Sequence, residues 1–297
     1  MKHLVYLICL LWVPTLQAKP LVVAVQYPLA FVASTLAGED IEIKNLTPPG
    51  VEPHEYQPGL RSLAEASRAD LFLYNSQFSE PWATRFAREV SHQGGKVFVA
   101  QSVFEHSVGT HGRQGLPQNY FDPHWWLDPL LTLRYATQLA QSMIKVAPQA
   151  ETAILGRLQA LEQKLVALDL LYLSRLKPCT QRKLVVAHDA YQYLAIRYHL
   201  EILPLHGLSA ESKPSLAKMA QVIKWVKQNH LKAIFFEDLT NPQLSLSLAK
   251  DSDVSALELS PIGNISKKDQ ENHIGYFELM EQNLTHLTQG LGCQTTP

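Results

Sequence analysis

The chain is poor in cysteine, with three in 297 residues, and it carries no excess of positive charge, with 26 Lys and Arg against 27 Asp and Glu. A near-neutral surface excludes a nucleic-acid binder of the ordinary kind, which needs a basic stripe. The 14 glycines are scattered. No phosphate-cradling loop, dinucleotide fingerprint or nucleophile elbow can be drawn from them, so nucleotide-dependent and nucleophilic chemistry has no motif to stand on. After residue 18 there is no run of 18 or more apolar residues, so no later segment is long enough to cross a bilayer.

The apolar run that does occur lies at the start. MKH, then LVYLICLLWV, then the small-residue site TLQA read as a secretory signal of residues 1–18, cleaved after Ala18. The mature chain is then predicted to be exported and soluble. Lipid anchoring would need a cysteine at the cleavage point, and Cys9 sits inside the apolar run instead. Cys179 and Cys293 remain. In an oxidising compartment they most simply form one disulfide, two buried thiols being the alternative, and they supply too few ligands for a cysteine metal site.

What the chain has in quantity is alternation. Short apolar bursts, LVVAV (21–25), IEI (41–43), LFLYN (71–75) and KVFVA (96–100), are separated by helical stretches, one of them (29–37) between the first two bursts and one opened by Ser79 and Pro81. A long helical reach follows from about Leu130 to Leu176. In it Leu155, Leu158, Leu161, Leu165 and Leu168 mark one apolar stripe, and Pro148 is placed to open a second helix. The alternation then restarts with KLVVAH (183–188), a helix through Tyr191–Tyr198, LEILPL (200–205), a helix from about Pro214 to Asn229, KAIFFE (232–237), a helix near 242–250, VSALEL (254–259) and a closing helix over roughly 269–289. The predicted fold is α/β with two lobes, each a mostly parallel sheet flanked by helices, joined by a long backbone helix. The N-terminal lobe takes residues 19–128, the linker helix region 129–178 and the C-terminal lobe 179–297. Ligands in such folds collect at the carboxyl ends of the strands.

Histidine is the surplus, 12 in all. His92, His199, His230, His273 and His286 stand alone in helices or at strand starts and read as packing or surface residues. Three others share one context. His54 lies in PPGVEPHEYQPG after a strand, His124 in DPHWWLDP beyond KVFVA, and His188 at the end of KLVVAH. If strand ends of both lobes face one cleft, the three imidazoles meet there. The Pro-His pairs stiffen the backbone before two of the rings. Asp122, Asp128 and Asp189 stand beside the rings as acceptors for the far imidazole nitrogen.

GVEPHEYQPG, DPHWWLDP, VVAHDAYQYLA and ESKPSLAKMAQVIKWVKQNHLKAIFFED, in that order, resemble the signatures of the periplasmic zinc- and manganese-binding proteins of metal-uptake ABC transporters, above all the ZnuA type. The resemblance runs from about residue 21 to 290. It implies a two-lobed binding protein with a rigid helical backbone. One ion would sit in the cleft on His54, His124 and His188 and pass to an ABC-type permease of the inner membrane. A histidine at the third position, His188, resembles the zinc-type members, and imidazole chemistry agrees, since manganese is better served by oxygen ligands. One departure stands out. Where the family supplies an aspartate in an LDPLG-like segment, alignment on Pro261-Ile262-Gly263 puts Ser260. Glu237, Glu258 or a water then completes the coordination. The family's histidine-rich loop is reduced to EHSVGTHGRQG, with His106 and His111, a connector more than a scavenging site. A zinc-dependent hydrolase using the three histidines plus water, and a surface adhesin on the same scaffold, are the other readings.

Overall fold

The computed structural model describes residues 18–104, 121–207 and 214–293. The first lobe runs β1 (Leu21–Ala24), α1 (Tyr27–Ala37), β2 (Glu42–Asn45), α2 (Leu60–Ala66), β3 (Leu71–Tyr74), α3 (Ala83–His92), β4 (Lys96–Val99) and α4 (Ala100–Phe104). Two long helices follow, α5 (Pro129–Val146) and α6 (Glu151–Leu176). The second lobe runs β5 (Lys183–Val186), α7 (Gln192–Tyr198), β6 (Glu201–Pro204), α8 (Leu216–Gln228), β7 (Ala233–Phe236), α9 (Gln243–Ser252), β8 (Ser255–Glu258), α10 (Lys267–Glu271) and α11 (Tyr276–Gly290).

Each lobe holds a four-stranded, all-parallel sheet, in the orders β2-β1-β3-β4 and β6-β5-β7-β8. The central bursts are buried through, LFLY entirely and LVVA and KLVV over their last three residues, as a sheet covered on both faces requires. In both sheets the strand order reverses next to the first strand, so a crevice opens beyond the carboxyl ends of β1 and β3 in one lobe and of β5 and β7 in the other.

The helical reach folds as two helices packed side by side, α5 on α6. Pro148 opens a 3-10 turn, Pro148–Ala150, that leads into α6. With 26 residues, α6 is about 39 Å long, and it touches both lobes. Arg157 donates to the last carbonyls of α1, Leu36 O (3.1 Å) and Ala37 O (2.8 Å), and pairs with Asp40. Farther along, buried Asp169 takes two hydrogen bonds from Arg197 of α7 (2.8 and 2.6 Å), and Tyr172 donates to Met280 O of α11. Leu161, Leu165 and Leu168 are buried and Leu158 packs partly, but Leu155 is 47% exposed, so the apolar stripe begins one turn later than its spacing suggests. Cys179 and Cys293 are joined in a disulfide that ties the end of the chain to the start of the second lobe.

Several boundaries differ from the sequence reading. α3 begins at Ala83, with no side-chain cap, because the Ser79 hydroxyl is engaged by Ser76 and Glu80. The helix after Lys213-Pro214 is capped by Ser215, whose hydroxyl accepts from Lys218 N–H, and starts at Leu216. The closing helix is split into α10 and α11, with His273 in the left-handed region (φ 56°) between them. α2 and α4, seven and five residues long, are too short to show a period.

Candidate metal centre

His54 sits on the loop after β2, and the second lobe holds that loop in place. Buried Asn264 donates through Nδ2 to Pro48 O (2.7 Å) and Val51 O (2.9 Å), and Gly50 N–H donates to Ile265 O (2.8 Å). Gly50 has φ 80°, a conformation that glycine adopts without steric cost. Glu52 accepts from His54 N–H (3.3 Å).

His124 opens a 3-10 turn, Trp125–Leu127. Asp122 Oδ1 accepts from both His124 N–H (3.1 Å) and Nδ1–H (2.8 Å). Both tryptophans are buried and each indole N–H is satisfied, Trp125 by Asn75 Oδ1 (2.9 Å) and Trp126 by Pro261 O (2.7 Å) across the lobes. Tyr276 of α11 donates to Trp126 O (2.7 Å) and Tyr193 of α7 to Asp122 O (3.1 Å). The histidine turn is therefore gripped from the second lobe as well as from its own.

His188 follows β5 directly. Glu237, at the end of neighbouring β7, accepts from His188 Nδ1–H (2.5 Å) and N–H (3.3 Å). The same motif thus appears by two routes, one acid two residues upstream and one from the next strand. Of the other acids read as imidazole holders, Asp128 caps α5, accepting from Leu130 and Leu131 N–H, and Asp189 accepts from Gln192 Nε2.

The three rings meet. The Nε2 atoms of His54 and His124 are 3.2 Å apart, and those of His188 and His124 are 3.5 Å apart. One nitrogen from each ring lies within 4.8 Å of the other two. Carboxylates only accept, so the Nδ1 atoms of His124 and His188 carry the protons and their Nε2 atoms turn lone pairs toward each other. Two lone pairs at that distance repel unless a proton or a cation lies between them. A tetrahedral ion bound at about 2.0–2.1 Å to each nitrogen would set them about 3.3–3.4 Å apart, close to both distances seen.

The electrostatics favour neutral rings in the first lobe. Burial among the neighbouring groups, then the charges on the other two rings, pushes His54 down to about 3, although the residue as a whole is exposed to solvent. Burial also lowers His124, against the pull of Asp122. Burial acts to lower His188 too, but the charge and hydrogen bond of Glu237, with Glu52 and Asp122 behind, carry it above the ordinary histidine value.

Among the acids, Glu237 touches His188 rather than the space between the rings, and Glu258 lines neither that space nor a ring. The small cavity at the rings, about 10 Å³, is bordered instead by Glu52 and Asp238, with Gln26, Trp126, Pro261 and Gly263. It has room for about one ion or water. Neither Glu52 nor Asp238 stood out in the sequence reading. The signals were there: acid-Pro-His occurs twice, as Glu52-Pro53-His54 and Asp122-Pro123-His124, and FFED ends in two consecutive acids, which alternation sends to different sides. Ser260 supplies no acid. Its hydroxyl accepts from Ile262 N–H (3.2 Å), which holds Ile262 at φ 54°, an outlier for a β-branched residue. His106 and His111, residues 1–17 of the expected signal 1–18 and most of the loop 104–122 lie outside the described residues.

Residues 22–290 match the family model of the zinc-uptake complex component A, periplasmic. The chain is similar to the zinc-binding lipoprotein AdcA of Streptococcus pneumoniae, 28% identical over 276 residues, covering 90% of this chain and 55% of that protein. It is also similar to the high-affinity zinc uptake system protein ZnuA of Bacillus subtilis, 29% identical over 278 residues, with 91% and 87% covered. The chain thus spans about half the length of the AdcA proteins it matches. Among solved structures, the Zn(II)-bound ZnuA-like domain of Streptococcus pneumoniae AdcA superposes with a TM-score of 0.80 at 28% identity, over 92% of this chain and 99% of that one. The laminin-binding protein Lmb of Streptococcus agalactiae, described as having adhesin and metal-transporting activity, gives 0.78 at 26%, over 92% and 100%.

Proposed function

We propose that this chain, which belongs to the family of the zinc-uptake complex component A, binds one Zn²⁺ ion as cargo on His54, His124 and His188 and delivers it to an ABC-type permease of the inner membrane. The carrying observation is the encounter of three Nε2 atoms, with 3.2 and 3.5 Å between neighbours, two of them facing as lone pairs because Asp122 and Glu237 hold the opposite nitrogens. Carboxylate-oriented imidazoles are the usual construction of a zinc site. A cavity of about 10 Å³ has room for about one ion or water and none for an organic substrate, which favours carriage over hydrolysis.

The same reading divides the chain. Residues 1–18 act as a cleaved signal, 19–128 and 179–297 form the lobes and 129–178 the connector, and the mature protein works in the periplasm as a monomer. No helix among the described residues is long and apolar enough to cross a membrane. α6 is bonded to both lobes, so loading and release rest on local movement rather than wide closure of the lobes. Zinc needs the unprotonated Nε2 of each ring, so acid competes with the ion.

The test is metal analysis of protein purified from the periplasm, followed by competitive zinc titration of the wild type and of His54→Ala, His124→Ala and His188→Ala. One equivalent in the wild type and its loss in all three variants is expected. Retention of a tight equivalent in any of them refutes the shared site.

A further inference from the structure

The turn that carries His124 is tied to both lobes through its two tryptophans, and the tie to its own lobe has a further acid behind it. Trp125 Nε1–H donates to Asn75 Oδ1 (2.9 Å), just beyond the end of β3. An indole nitrogen only donates. The Asn75 amide therefore turns its oxygen to Trp125, and its nitrogen needs an acceptor on the other side. Glu80 supplies it, Oε1 accepting from Asn75 Nδ2 (3.1 Å).

Glu80 is held as firmly as it holds. Its Oε2 accepts from the backbone N–H groups of Asn75 (3.0 Å) and Ser76 (3.2 Å) and from the Ser79 hydroxyl (3.1 Å). Closing the loop after β3 needs that oxygen alone, since it takes both backbone donors. Oε1 goes to the amide that faces Trp125. Glu80, Asn75 and Trp125 are all buried, so a partner lost along this chain leaves a polar group unpaired away from water. Asn75 O also accepts from Gln101 N–H (2.9 Å), which fixes the backbone of Asn75 to the start of α4. At the far end, Trp125 stacks on Tyr135 of α5 with 4.2 Å between ring centres and meets Trp126 edge-on at 5.6 Å. Trp126 in turn packs edge-on against the His124 ring at 5.4 Å.

We infer that Glu80 is a positioning residue for the metal ligand His124, acting through the Asn75 amide and the Trp125 indole to fix the turn on which the ring stands. This rests on the three-histidine reading above. Asp122 settles which ring nitrogen of His124 carries the proton. Glu80 settles where the ring is placed, by orienting an amide as Asp122 orients an imidazole.

The experiment compares the whole mature protein with Glu80→Gln, Trp125→Phe, the double variant and His124→Ala by competitive zinc titration, together with ¹⁵N NMR of the tryptophan indole N–H groups in the metal-free state. A glutamine keeps the shape of Glu80 but sets an amide NH₂ among groups that all donate, so Asn75 loses its fixed direction. Glu80→Gln is expected to keep one equivalent of zinc, to bind it about tenfold more weakly and to shift the Trp125 indole resonance. Trp125→Phe, which removes the indole N–H, weakens zinc binding by about as much. The double variant is about as weak as either single one, because both changes cut the same relay, whereas independent packing losses would multiply to about a hundredfold. Wild-type affinity or an unshifted Trp125 resonance in Glu80→Gln, or multiplied losses in the double variant, overturns the inference while leaving the histidine site intact. Glu80→Asp, which keeps the charge and draws the carboxylate back by one methylene, takes the place of Glu80→Gln if that variant does not fold. If Trp125→Phe does not fold, the indole resonance and zinc affinity of the Glu80 variant decide the case. A wild type that binds no zinc, or a His124→Ala variant that binds it as tightly as the wild type, refutes the histidine site and the inference together.

Discussion

The two lobes share a strand order and differ in how they present a ligand. In the second lobe His188 stands on the end of β5, and its acid, Glu237, comes from the adjacent strand 49 residues later. In the first lobe His54 and His124 stand on loops, and the acids lie two residues upstream of each. A ligand at a strand end is oriented by the sheet, whereas a ligand on a loop needs its own braces. Asp122, the two tryptophans and the grip of Tyr193, Tyr276 and Pro261 brace His124. The strap Pro261–Ile265, which contributes no ligand, braces His54 through Asn264.

The comparison is broken most sharply at the acids. Glu237→Gln and Asp122→Asn each remove the carboxylate that fixes a ring tautomer, and each should weaken zinc binding about 10- to 100-fold, as read by chelator competition. If the sheet orients His188 by itself, Glu237→Gln falls at the low end of that range and Asp122→Asn at the high end. Equal losses would mean that the tautomer matters and the scaffold does not.

Acid separates the lobes by sign. His54, held down to about 3 against an ordinary 6.5, is protonated more readily in the unfolded chain. Its contribution to metal-free stability is complete above about pH 6.5 and is lost as pH falls toward 3. His188, raised above the ordinary value by Glu237, contributes in the opposite sense. Its share is complete below about pH 6.5 and fades as pH rises through its raised value. NMR titration of the metal-free protein should therefore show His188 charging first as pH falls while His54 stays neutral through pH 5, and Glu237→Gln should bring His188 down. The zinc-loaded protein should begin to release metal as His188 becomes protonated.

The strap gives the smallest effect. Asn264→Ala leaves Pro48 O and Val51 O without their donor at a buried position and should cost about 1–3 kcal/mol of stability in thermal melts. Zinc affinity should fall by less than in the acid variants, because Gly50 still bonds to Ile265.

Much of this was legible in the chain. Short apolar bursts between helical stretches, with β-branched residues in the bursts, announce a parallel sheet, and the change to a long stripe over 155–168 announces the connector. Three histidines at or beyond strand ends were separable from the helical ones for the same reason, since strand ends converge. Where an element was missed or shifted, a local competitor decided: Ser79 found Ser76 and Glu80 instead of a helix end, and Leu155 lay beyond the reach of the core.

Residue types and their period along the chain, which depend on local backbone geometry alone, determined the two α/β lobes, the helical connector and the three imidazoles. Only tertiary structure decided which acid serves which ring, that Glu237 turns to His188 while Asp238 borders the cavity, and that Asn264 steadies a loop more than 200 residues earlier in the chain. The physical reason is that a hydrogen bond or a metal site is set by distances of about 3 Å, and no spacing in the sequence specifies such a distance between segments that meet only when both sheets are folded.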